Sequence, residues 1–124
     1  MTFCLPPEAV IETNRSFEKD RHVLLDRGKL EAALARPAAE YGGVAAFPTM
    51  HGRAAALLHG LATAHAFGNA NKRTAWISCN IFLGAFGVQI RQMSKYEAGG
   101  FVEAMILRYY TVEEATMWLL DNSI

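Results

Sequence analysis

The chain has 124 residues, 52% hydrophobic and 19% charged, and its twelve Lys and Arg offset twelve Asp and Glu. That length and balance predict one globular domain over 1–124, burying roughly two-thirds of its unfolded surface, and exclude a disordered chain. Zero formal charge excludes a general nucleic-acid binder with a basic face, and two cysteines, Cys4 and Cys79, imply no disulfide framework.

The N-terminus shows no basic region followed by an apolar run, so no signal peptide is expected. No apolar stretch reaches the ~18 residues needed to span a bilayer. The expectation is a cytoplasmic protein with no membrane partner.

In chain order, Pro6, Pro7 and Glu8 suit a helix start, because proline fits the first turn and an acid favours its positive end. A helix is predicted over 7–18, although Asn14-Arg15-Ser16 weakens its apolar pattern. Asp26-Arg27-Gly28 marks a turn or cap, and Leu30, Ala33 and Leu34 follow at helical spacing until Pro37. Pro37, Gly42, Gly43 and Pro48 predict a loop or short extended flap over 37–48.

A central helix is predicted from Pro48 or Thr49 to His65, with Ala54, Leu57, Leu58 and Leu61 on one face. The next is predicted from Asn71 to Phe86, apolar almost all round and therefore buried, with Gly87 as its C-terminal cap. Val88-Gln89-Ile90 reads as an extended link. Ser94 with Glu97, and Thr111 with Glu114, have capping-box spacing and predict helices over 95–108 and 112–121. The expected fold class is all-α, a single domain of about six helices.

The stretch from His65 to Thr74 holds a histidine, two asparagines and two adjacent cations, and it joins two of these helices. His65 would sit beside the partial negative charge of a helix C-terminus. The unpaired amides of the following N-terminus form an anion site, with Asn71 as a cap and Lys72 and Arg73 as added positive charge. A base facing a phosphate cradle suits transfer of a phosphorus-centred group to a hydroxyl. A capping histidine beside a solvated Lys-Arg pair has the same spacing, so the residues alone leave both readings open.

His65-x-Phe67-x-Asn69-Ala70-Asn71-Lys72-Arg73 resembles the signature of the Fic/Doc family, written H-x-F-x-[D/E]-[A/G]-N-[G/K]-R. The continuation Asn71-Lys72-Arg73-Thr74-Ala75 resembles its Doc (death-on-curing) branch. Leu30-x-x-Ala33-Leu34-Ala35-Arg36-Pro37, the alanine-rich helix before His65, and Phe82-Leu83 with Gly87-Val88 are similar in kind and spacing. The resemblance covers roughly residues 8–90.

It implies an all-α toxin paired with an antitoxin. His65 would be the general base, Phe67 a buried structural anchor, and Ala70, Asn71, Lys72 and Arg73 the nucleotide-phosphate site. The co-substrate would be ATP with Mg²⁺. Most Fic proteins transfer the adenylyl group, whereas the Doc branch phosphorylates a threonine of elongation factor Tu and stops translation. Lys72 stands where adenylylating members have glycine, and Trp76 where they carry a second arginine. Both departures point to a kinase that moves the γ-phosphoryl group to a Thr or Ser, with adenylyl transfer as the alternative.

Asn69 replaces the family's magnesium-binding acid. An amide oxygen brings no charge, and one unit-charge pair at 4 Å is worth roughly 4 kcal/mol at an effective dielectric near 20. Asn69 is therefore expected to be a weak metal ligand. A degenerate fold that acts by partner binding is the further alternative. The chain has no match to the inhibitory pattern [S/T]-x-x-x-E-[G/N], so inhibition is expected from a cognate antitoxin supplied in trans.

His51, His59 and His65 are spaced by eight and six, which stacks no ligand pair on one helix face. His22 reads as a surface residue and Cys79 as a core residue. Met93, Met105, Met117 and Trp118 read as fillers of the core or of a groove able to take an amphipathic helix.

Overall fold

Six α-helices form the described part of the chain, residues 2–124 of a computed structural model. They are α1 (Pro7–Glu18), α2 (Arg27–Ala35), α3 (Met50–Ala64), α4 (Asn71–Gly84), α5 (Lys95–Ile106) and α6 (Val112–Asp121). Short 3₁₀ turns follow α1 and α2, and a hairpin of β1 (Glu40–Tyr41) and β2 (Val44–Ala45) precedes α3.

α3 is the central element, packing against α2, α4, α5 and α6. Leu57 and Leu58 are fully buried in it, and each contributes about 2 kcal/mol through the hydrophobic effect. Its alanines at 54, 55 and 56 are also fully buried, so neighbouring helices approach it closely. Thr49 accepts a hydrogen bond from Gly52 N at 3.0 Å and fixes where α3 starts. Gly42 and Gly43 have φ of 59° and 81°, the left-handed pair that a two-residue hairpin needs, and they close the expected flap.

Two expectations need correction. α4 is not buried all round: Thr74, Ala75, Ser78, Cys79, Phe82 and Leu83 face the core, while Ile81 is exposed and Trp76 and Ile77 are half-buried. The cause is that α4 packs on α3 and α1 from one side, leaving its other side beside α5 and solvent.

Gly87 caps α4 as expected: it is left-handed (φ 77°), its N–H donates to Gly84 O at 3.0 Å, and Val88 N donates to Leu83 O at 3.1 Å, the paired bonds of a glycine-ended helix. Regular α-helix stops at Gly84, two residues before the expected end. The Ser94 box is only half formed, because Glu97 reaches Arg91 Nη2 at 2.7 Å instead of the cap backbone. The Thr111–Glu114 box at α6 is complete.

The link after α4 pairs Ile90 with Ser123, and Gln89 O accepts from Ile124 N at 2.9 Å. This ties the C-terminal end back beside α4. Phe101 of α5 stacks on Trp118 of α6 with ring centroids 3.7 Å apart, closing the core at that side.

Candidate functional site

Residues 65–70 make a tight loop between α3 and α4, with a left-handed residue at each end. His65 (φ 51°, ψ 44°) terminates α3 and Ala70 (φ 59°, ψ 28°) precedes α4. Each costs a non-glycine residue about 1 kcal/mol, so the surroundings must hold the loop.

They do so from three sides. A segment before α2 lies alongside as a short antiparallel bridge, Leu24 opposite Phe67. Leu25 N donates to Ala66 O at 2.7 Å, and Gly68 N donates to Val23 O at 2.9 Å. The Asn71 amide closes on the Phe67 backbone, accepting from its N–H at 3.1 Å and donating to its carbonyl at 2.9 Å. From α1, Asn14 Nδ2 donates to Asn69 O at 2.9 Å and to Thr74 Oγ1 at 3.1 Å. Phe67 is 3% exposed and packs into the core.

Asn71 is therefore not the cap of α4, as its position led us to expect. The left-handed turn puts Ala70 at the cap, makes Asn71 the first helical residue, and swings its side chain back onto Phe67. Ala70 has no side chain to cap with, so the first turn of α4 carries no side-chain cap among the described residues. Its amides keep the partial positive charge that attracts anions. The chain thus brings together an exposed imidazole, an uncapped helix start and two exposed cations around one loop.

Both cations already have partners. Lys72 pairs with Glu103 of α5, and the Arg73 guanidinium lies 4.1 Å from the Phe17 ring centroid of α1. Cation–π contact of that kind aims Arg73 without neutralising it. Beside them, Lys72, Arg73, Trp76 and Ile77 line one wall of a cavity of ≈ 580 Å³, with Met93 and Lys95 on the other side. That size is in the range of small-molecule sites. His65 does not line it, so the cavity adjoins the loop on the α4 side.

Asn69 fits magnesium poorly: its Oδ1 carries no charge, and one of its two lone pairs accepts from Ala70 N at 2.9 Å. No group of three or more His, Cys, Asp or Glu side chains is placed to hold a metal ion among the described residues.

Several participants escaped the sequence reading. Asn14 is 1% exposed, and His22, read as a surface residue, is half-buried with Nδ1 2.8 Å from Asn14 Oδ1. The signal for Asn14 was available: it falls four residues after Val10, on the buried face of α1. Glu103, Phe17 and the Val23–Leu25 segment carried no such signal.

The other titratable groups are structural. Burial pushes the Cys79 thiol up to about 12, making it an inert core residue. Burial lowers His51 and His59, and for His59 the nearby Arg36 and Arg108 act in the same direction.

This helix–loop–helix arrangement sets an uncapped helix start and two cations beside an exposed histidine. The profile of the Fic/DOC family matches residues 6–83, and the chain belongs to that family. Toxin Doc of Mycolicibacterium smegmatis is 51% identical over 65 residues, covering 52% of this chain and 50% of that relative. The match therefore spans about half the length of that curated relative. No helix among the described residues is long and apolar enough to cross a membrane.

Proposed function

We propose that this protein is a Doc-like toxin of a toxin–antitoxin system, moving the γ-phosphoryl group of ATP to a Thr or Ser hydroxyl of a translation factor such as elongation factor Tu. The observation that carries the reading is the uncapped first turn of α4, flanked by Lys72 and Arg73 and joined by one short loop to the exposed His65. The relative's name, Toxin Doc, supports the toxin assignment and with it a cognate antitoxin acting in trans.

In this reading the α4 amides, Lys72 and Arg73 hold the phosphates, and the nucleoside lies in the adjoining cavity against Trp76. His65 takes the proton of the target hydroxyl as its oxygen bonds the γ-phosphorus. The bond from that phosphorus to the bridging oxygen breaks, and ADP leaves with the electron pair. Triphosphate binding competes with Glu103 for Lys72, so the ion pair opens as the nucleotide enters.

The test is label transfer to elongation factor Tu from γ-labelled and α-labelled ATP. Phosphoryl transfer delivers the γ label alone, and His65→Ala removes it. Label delivered only from the α position would replace the kinase reading with adenylyl transfer.

One observation favours a second reading, a fold that binds partners without catalysing. Asn69 offers the site a neutral oxygen already bonded to Ala70 N. If Asn69→Asp creates transfer that the native protein lacks, that second reading stands. Native transfer abolished by His65→Ala eliminates it.

A further inference from the structure

The peptide between Asn69 and Ala70 decides what the start of α4 shows to an anion. Its carbonyl is turned inward onto Asn14 Nδ2, and planarity of a trans peptide then directs the Ala70 N–H the opposite way, to the Asn69 side chain. A flip of this one peptide would relieve the left-handed φ of Ala70. It would also turn a carbonyl oxygen toward the amides of the first turn of α4 and oppose any phosphate there.

We propose that Asn14, oriented by His22, is the positioning residue that keeps this peptide from flipping and so keeps the α4 anion site in its binding form. The proposal rests on the site reading given above. Asn14 is 1% exposed, and every polar contact it makes serves the loop or the first turn of α4, apart from the one to His22. Both donors of its amide are used, on Asn69 O and Thr74 Oγ1, so the oxygen is left to His22.

An amide oxygen only accepts, so His22 must donate from Nδ1. That bond survives protonation of the other ring nitrogen, and the hub therefore works in both charge states of His22. His22 in turn lies against Phe67, ring centroids 5.9 Å apart, so the orienting residue and the loop anchor move together. Asn14 touches no substrate; it acts through the loop.

The experiment compares the full chain with Asn14→Asp, His22→Phe and His22→Gln, following amide hydrogen exchange residue by residue and, in parallel, kcat and KM for ATP. Asp at 14 sets an acceptor against Asn69 O. Phe at 22 keeps the packing but loses the donor, and Gln restores a donor.

Losing the hub bond should speed exchange of the amides of 67–70 by about tenfold in Asn14→Asp and His22→Phe, with α3 amides unchanged and His22→Gln near native. A displaced loop should lower kcat by about a hundredfold while KM moves less. Native exchange at 67–70 in Asn14→Asp, or equal acceleration throughout α3, overturns the proposal. If Asn14→Asp does not fold, His22→Phe decides, and native loop protection in it is the overturning result. If the native chain transfers no label, the kinase reading fails, whereas the exchange comparison still settles the positioning role.

Discussion

The starts of α2 to α6 divide into two kinds; α1, which also has no side-chain cap, opens on Pro6-Pro7, where Pro7 has no N–H to leave unpaired. α2, α3, α5 and α6 each open with a side chain that accepts from the helix's own amides: Asp26, Thr49, Ser94 and Thr111. α4 opens from a left-handed alanine with no such acceptor. Where a cap is present, the positive end of the helix is spent on folding. At α4 it is left for something else, and the loop before it is held by Asn14, Asn71 and the Val23–Leu25 backbone instead. Stability and site are kept on different atoms.

The sharpest break in that comparison comes from the site side. His65→Ala should reduce transfer from labelled ATP by roughly 10²–10⁴, the range of a lost general base, while the thermal midpoint stays near native because His65 is exposed. A comparable drop in stability would move His65 into the structural group.

The next effect lies at the capped starts. Thr111→Ala removes a complete capping box and should cost about 1 kcal/mol in denaturant unfolding, with transfer unchanged. Ala70→Gly at the uncapped start should have the opposite sign. It relieves the left-handed φ and should leave the fold more stable by no more than about 1 kcal/mol after the unfolded-state entropy of glycine is offset.

A pH effect follows from the closed side of the molecule. Arg36 Nη1 lies 2.9 Å from His59 Nδ1, which must therefore be the unprotonated acceptor. Burial, then Arg36 and Arg108, lower the folded value of His59 below its ordinary 6.5. The unfolded state thus binds the proton more readily, so this stability is present above pH 6.5 and is lost as pH falls from 6.5 through the lowered value. His59→Gln keeps an acceptor for Arg36 and should flatten the unfolding free energy across that window.

The smallest expected change is Glu103→Gln. The Lys72–Glu103 pair is about half exposed, so its loss should cost less than ~1 kcal/mol of stability. Freed of its partner, Lys72 should bind ATP more tightly, and the gain should shrink with added salt. Unchanged affinity at low salt would show that Lys72 does not meet the phosphates.

Much of this architecture was legible because it is local. Thr49, Asp26, Ser94 and Thr111 announce helix starts through atoms three residues apart, and Gly42-Gly43 announces a turn through its own backbone freedom. The apolar spacing of Ala54, Leu57, Leu58 and Leu61 likewise marked the core face of α3. Asn71 misled because capping preference is statistical, and a left-handed residue ahead of it moved the cap by one place. Glu97 misled because Arg91 competed for the same carboxylate.

By itself, then, the sequence determined the six helices, the central place of α3, and the spacing that sets His65 ahead of Lys72 and Arg73. Those follow from interactions within a few residues, where chain geometry leaves little choice. Only the tertiary structure decided how the loop between them is held and what its cations touch. Asn14 meets Asn69 across 55 positions, and Lys72 meets Glu103 across 31. No local pattern encodes such pairings; they exist because packing of α1 and α5 against α4 brings those side chains within reach.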